Sequence, residues 1–231
     1  MTKPINVVVV SAGVSDPSTT RMLAERATAA VMDRLRASGE EVTASFVDLA
    51  GMAADIGRSI VSADPVKSVQ RAIEQVGAAD GLVVATPVYK AGISGLFKSF
   101  ADLLDNDLIV AKPVILSATA GTARHAMVVD EQLRPLFAFM RAMPVPTSLF
   151  AAPEDWADPA LGKRIDRAAV EFAELTRARV GEAITDAAWK GYQHTFNGNA
   201  TRAEKSVEDL DFDTRLMRLA AGGQSLVDTR R

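Results

Sequence analysis

The sequence predicts an α/β fold in which a five-stranded parallel sheet is covered on both faces by helices. Two observations carry this prediction. Short apolar runs alternate five times with longer stretches of helical spacing, the rhythm of a doubly wound sheet. Runs such as "INVVVV" from Ile5 and "GLVVAT" from Gly81 are apolar without alternation, as expected of strands buried on both sides.

The elements follow in order. Ile5–Val10 is the first strand. From Ser18 to Ala37 the apolar points Met22, Leu23, Ala27, Ala30, Val31 and Leu35 recur at helical spacing, and Ser38-Gly39 supplies a C-cap. Glu41–Leu49 alternates enough to be a strand near an edge. The following "GMAADIGRSIVSADP" has no clear period and reads as a loop. Lys67–Gly77 reads as a helix, Asp80–Thr86 as the third strand, Ser94–Leu104 as a helix and Lys112–Ala118 as the fourth strand. Ala126–Met140 is helical, with Pro135 marking a kink or break. Val145–Phe150 is a weaker fifth strand, which Pro144 and Pro146 confine to an edge. Gly162–Ile184 reads as a long closing helix.

Five strands in this rhythm fit the flavodoxin-like order 2-1-3-4-5, a three-layer sandwich expected to span residues 1–186. Residues 187–231 lose the rhythm and read as a C-terminal extension, partly helical or mobile, with Asp209–Leu219 as a short helix.

Composition removes several function classes. The 231 residues include no cysteine, which excludes disulfides, zinc–thiolate sites and a catalytic thiol. A net charge of -3 with no basic block argues against a nucleic-acid binder. No apolar run approaches the ~20 residues of a spanning helix, and the N-terminus lacks a signal-peptide core. The expectation is a cytoplasmic protein without membrane or nucleic-acid partners.

In an open α/β sheet, ligands bind beyond the carboxyl ends of the strands where strand order reverses. Three loops fall there. In "SAGVSDPSTTR", Ser11, Ser18, Thr19 and Thr20 offer hydroxyls, and the loop amides lead into a helix N-terminus, an anion site. The same serine or threonine also suits a simple N-cap. The loop lacks the Gly-Lys-Ser/Thr of a Walker motif and the Gly-x-Gly-x-x-Gly of a dinucleotide fold. In "ATPVYKAGISG", Tyr89 is placed to border a flat ring, and Gly92 and Gly95 let the backbone approach closely. In "SATAGTARHAM", Thr119 and Thr122 are donors. His125 is a weak acid–base candidate and reads better as a structural or solvent-facing group, and His194 has less claim still. With no Gly-x-Ser-x-Gly elbow and no metal-spaced cluster, these loops suit a cofactor that brings its own reactivity.

"SAGVSDPSTTRMLAERA" and, more closely, "TPVYKAGISGLFKSFADLLD" resemble the two signatures of the NAD(P)H-dependent FMN reductases, over about residues 5–185. Within that family the chain is most similar to the branch that supplies reduced flavin to luciferase-like or alkanesulfonate monooxygenases. The resemblance implies FMN and NAD(P)H as cofactors and no catalytic side chain. It implies that Ser11, Ser18, Thr19 and Thr20 hold the FMN phosphate. Pro87, Val88, Tyr89 and Lys90 would border the isoalloxazine, and Thr119, Ala120 and Gly121 would approach it from the third loop. Where the family often has arginine in its first loop, Val14 and Ser15 stand here. The implied partner is a flavin-dependent monooxygenase, and the implied assembly a homodimer or homotetramer. The helix "GLFKSFADLLD" offers Leu96, Phe97, Phe100 and Leu103 either to an interface or to the core. Other readings of the same fold are an FMN-containing quinone or azo reductase and a flavodoxin-type electron carrier.

Overall fold

The computed structural model describes residues 3–62 and 64–189. The extension beyond them, including the expected helix Asp209–Leu219 and His194, lies outside the described residues.

The first strand, β1 (Ile5–Ser11), is a valine run whose residues point alternately to opposite faces. Val7 and Val9 enter one apolar cluster, and Val8 and Val10 enter the other. The four valines are buried on both faces of the sheet, while the polar Asn6 and Ser11 flank them in the same strand. The sheet is completed by β2 (Val42–Asp48), β3 (Gly81–Tyr89), β4 (Gly92–Ile93), β5 (Pro113–Thr119), β6 (Met143–Pro144) and β7 (Leu149–Ala151). Its path is β2-β1-β3-β5-β6, with β7 also paired to β5 and β4 folded back on β3. Apart from the β3–β4 hairpin, the pairings are parallel. With the β4 hairpin arm set aside and β6 and β7 counted as one divided edge strand, this is the expected order 2-1-3-4-5.

The expected fifth strand is divided. β6 pairs with the start of β5 and β7 with its end. Pro144 and Pro146 have no N–H to give, and the N–H of Thr147, which follows them, turns away to the Glu171 carboxylate at 2.8 Å.

Helices α1 (Thr19–Ala37) and α6 (Pro159–Arg177) cover one face through Leu23, Ala27, Val31, Ile165 and Phe172. On the other face lie α2 (Ala53–Ser62), α3 (Lys67–Ala78), α4 (Gly95–Ala101) and α5 (Arg134–Phe139). Phe97 and Phe100 of α4 are core residues, and Leu96 and Leu103 pack against that core, so the sheet claims this apolar face.

Three sequence expectations need correction. The segment read as a loop after β2 contains α2. It is a ten-residue helix that buries Ile56 and Ser59 and leaves Ile60 and Val61 exposed. Polar bonds also tie it down, with Ser68 donating to Asp55 at 2.5 Å and Ser59 Oγ accepting the Val66 N–H at 3.1 Å. The expected helix Ala126–Met140 is preceded by a 3₁₀ turn at Ala123–His125 and consists mainly of a π turn over Val129–Leu133 followed by α5. The π turn sits just ahead of Pro135, whose ring would crowd the carbonyl four residues back in a regular helix. The closing helix breaks at Arg179, which takes the left-handed conformation (φ 50°), and resumes as α7 (Val180–Ile184). There Gly181 lies so close to the Ala111 carbonyl that an added Cβ would sit 2.5 Å from its oxygen.

Among the described residues, no helix is long and apolar enough to cross a membrane.

Candidate functional site

The strand order reverses between β1 and β3, and three loops meet at the carboxyl ends of β1, β3 and β5. Register fixes their level. Ser11 stands opposite Ala85, Pro87 opposite Thr119, and Thr119 opposite Ala151.

The first loop leaves β1 at Ser11, which is buried, and Ala12 N–H still bonds the Ala85 carbonyl at 3.0 Å. The chain then folds onto the start of α1. An added Cβ on Gly13 would lie 2.0 Å from Ser18 Oγ and 3.0 Å from Thr20 Cβ, so only glycine fits. Ser18 is the N-cap, its Oγ accepting the Arg21 N–H at 3.2 Å. The N–H groups of Thr19 and Thr20 have no protein acceptor among the described residues, as a first helical turn requires. The Asp16–Pro17 peptide is cis. The four hydroxyls expected here do not share one environment. Thr19 is exposed, Ser18 is half-buried, and Thr20 is buried with Oγ1 2.7 Å from Thr119 Oγ1. Arg21 turns away to Glu25 at 2.8 Å and Asp48 at 3.6 Å and lies over the Phe46 ring. An anion at this helix terminus would therefore meet amides and hydroxyls and not the Arg21 guanidinium.

The second loop is a hairpin. Pro87 and Val88 remain in β3, buried, while Tyr89 is 50% exposed. Lys90 and Ala91 form a two-residue turn, both at positive φ (50° and 63°), before β4 returns. Its base is pinned by Thr86, whose Oγ1 accepts the Ser94 N–H at 3.1 Å, while Ser94 Oγ caps α4 by accepting the Phe97 N–H at 3.1 Å.

The third loop leaves β5 at Thr119. Ala120 N–H bonds the Ala151 carbonyl at 3.2 Å, and Gly121 and Thr122 are exposed. His125 lies half-buried in the 3₁₀ turn that follows. Asp130, at the start of the π turn, accepts from Ser148 at 2.6 Å and Arg134 at 2.9 Å. Burial pushes its carboxyl up, but these bonds and the Arg134 charge outweigh that and hold it below the usual carboxylate range.

The sequence reading missed Gln132, whose side-chain amide reaches the hairpin, and the Thr86–Ser94 pair. No local signal marks either, since both pairings depend on tertiary placement.

A cleft of about 410 Å³ opens at the opposite end of the sheet, lined by Lys3, Asp80, Lys112 and Arg179 among others. Lys112 is spent there on the Gly77 and Ala79 carbonyls, at 2.5 and 2.7 Å. The three loops and the α1 N-terminus lie at the other end, beyond the carboxyl ends of the strands, so the crevice there is the better candidate.

These three loops on a 2-1-3-4-5 parallel sheet define a flavodoxin-like protein whose crevice suits a phosphorylated, flat-ringed cofactor. The chain belongs to the NADPH-dependent FMN reductase family, whose sequence model matches residues 5–157. It is 38% identical over 180 residues to the NADH-dependent FMN reductase SfnE of Pseudomonas putida, covering 76% of this chain and 94% of that one. It is 36% identical to an FMN reductase (NADPH) of Pseudomonas aeruginosa, over 68% of this chain and 81% of the relative. Among solved structures, an oxidoreductase from Corynebacterium diphtheriae superposes with a TM-score of 0.73 at 42% identity, covering 76% of this chain and 98% of that one. The protein is thus an oxidoreductase that works with FMN and a nicotinamide nucleotide.

The crevice fits FMN on its own chemistry. The glycine that lets the loop close, two first-turn amides without acceptors among the described residues and the neighbouring hydroxyls are donors of the kind that would hold a phosphate without a cation.

Proposed function

We propose that the protein reduces FMN with NADH or NADPH and supplies the reduced flavin to a flavin-dependent monooxygenase, working in the cytoplasm as a homodimer or homotetramer with residues 1–186 as the flavin domain. The observation that carries the site assignment is the convergence of the three loops on one crevice. The resemblance to reductases that serve such monooxygenases supports the partner. Ser11, Ser18, Thr19, Thr20 and the first-turn amides of α1 hold the phosphate. Pro87, Val88, Tyr89 and Lys90 border the ring, and Thr119, Ala120 and Gly121 flank it from the third loop.

FMN held there would supply the redox chemistry, as the acceptor of a hydride from the nicotinamide nucleotide. The chain's own share is placement. The helix terminus fixes the phosphate, the Tyr89 hairpin limits where the ring can lie, and the buried Pro87–Val88 backbone excludes water from one edge. No side chain transfers a proton, so rate is governed by stacking geometry.

The test is steady-state oxidation of NADH and NADPH by the purified protein with free FMN and no partner protein. Turnover by colourless protein supports FMN as a substrate. A yellow protein with ping-pong kinetics points to the quinone or azo reductase reading, and no turnover points to an electron carrier.

A further inference from the structure

We propose that Gln132 is a positioning residue for the flavin, holding the Tyr89–Gly92 turn in the shape that the bound ring requires. The proposal rests on the reading above that Pro87–Lys90 border the isoalloxazine.

The turn joining β3 to β4 is of two residues, with both φ angles positive, the signature of a type I′ hairpin. Such turns favour Asn-Gly because most side chains are strained there. Here the two positions are Lys90 and Ala91, a pair with no intrinsic preference for that geometry. Strain of this kind persists only where the surroundings over-determine the backbone.

Gln132 supplies that constraint. Its Nε2 donates to the Ala91 carbonyl at 3.1 Å, and its Oε1 accepts the Ile93 N–H at 3.0 Å. One amide thus clamps both sides of Gly92, as a neighbouring strand would. Gly92 permits the approach, for an added Cβ would lie 3.2 Å from Gln132 Oε1. Gln132 is carried by the π turn over Val129–Leu133, which also holds Asp130 in its bonds to Ser148 and Arg134. The clamp therefore links the second loop to the element that follows the third. Turn and clamp lie where Tyr89 and Lys90 leave the sheet, so loosening them frees the ring-bordering residues without disturbing the phosphate loop.

The test compares wild type with Gln132→Leu, with the near-isosteric Gln132→Glu, and with Gln132→Leu combined with Ala91→Gly. Glycine adopts positive φ without strain and makes the turn less dependent on the clamp. Two measurements are made: amide hydrogen exchange over residues 89–93 in flavin-free protein, and FMN titration followed by flavin fluorescence and visible circular dichroism. Gln132→Leu removes both bonds and is expected to speed exchange at Ile93, whereas Gln132→Glu keeps an acceptor for the Ile93 N–H, loses only the donation to the Ala91 carbonyl and is expected to change that exchange less. Loss of the clamp in Gln132→Leu is expected to weaken FMN binding roughly tenfold, the effect of losing about one to two net hydrogen bonds, and to change the flavin's visible dichroism. Ala91→Gly recovers a substantial part of each.

If wild type and Gln132→Leu bind FMN equally, with identical dichroism, the proposal is overturned while the site assignment stands. If wild type binds no FMN, the site assignment fails and the proposal falls with it, whatever the exchange data show.

Discussion

Thr20 Oγ1 and Thr119 Oγ1 lie 2.7 Å apart although 99 residues separate them in sequence. One hydroxyl begins α1 and the other ends β5, so this buried bond ties the first ligand loop to the third. Both threonines are buried, and each hydroxyl is bonded to the other. Replacing either threonine by valine strands its partner and is expected to cost about 1–3 kcal/mol. The double replacement removes both polar groups and is expected to cost clearly less than the sum of the singles. Urea denaturation of the four proteins checks this, and strictly additive losses would show that the pair is not coupled.

Gly13 and Ser18 interlock in the same loop. An added Cβ at Gly13 would meet Ser18 Oγ at 2.0 Å. Gly13→Ala is expected to displace the N-cap, costing about 1 kcal/mol of stability and at least tenfold in FMN affinity. Removing Ser18 Oγ removes the worst of the clash, so Gly13→Ala should do less additional harm in a Ser18→Ala background. Thermal melts and FMN titrations of the three variants provide the comparison.

At the far end of the sheet stability and binding separate. An added Cβ at Gly81 would lie 2.4 Å from Phe172 Cζ and 3.2 Å from the Pro113 carbonyl oxygen. Phe172 is fully buried, so it has little room to yield. Gly81→Ala is expected to cost about 1–3 kcal/mol by overpacking and to leave the FMN affinity of the folded protein unchanged. A parallel loss of affinity would mean that the two ends of β3 are mechanically linked.

Lys112 makes stability depend on pH. Burial pushes its ammonium from 10.5 down to about 8, against the opposing pull of Asp80 and with a smaller push from Lys3. Between those values the unfolded chain holds a proton that the folded chain has released. Stability therefore rises with pH from about 8 to about 10.5 and is flat on either side. The gain is on the order of 1–3 kcal/mol. Chemical denaturation of wild type and Lys112→Met across this range isolates the effect, because the other titrating groups cancel in the difference.

The parts of the molecule legible in the sequence are those specified by local pattern. The valine run of β1, the unbroken apolar stretch of β3 and the spacing of Leu23, Ala27 and Val31 lead directly to strands and a helix, and their alternation to the parallel order. The ligand end of the sheet follows from topology alone. What stayed hidden depends on partners distant in sequence. Helix α2 buries Ile56 in the core and is fastened by Asp55, Ser59 and Ser68, bonds that only the folded chain brings together. Thr20 reads as a free hydroxyl until β5 brings Thr119 against it. Gln132 looks like any polar residue on a helix until the π turn presents its amide to Ala91 and Ile93.

The most direct test of the account is a paired titration with FMN and riboflavin, which differ by the phosphate, on wild type and on the Ser18→Ala/Thr19→Ala variant. The account predicts that wild type binds FMN at least tenfold more tightly than riboflavin. It also predicts that the double substitution removes most of that difference while leaving riboflavin affinity in place. Equal affinity of wild type for the two flavins, or an undiminished preference for FMN in the variant, would contradict the assignment of the first loop as the phosphate site.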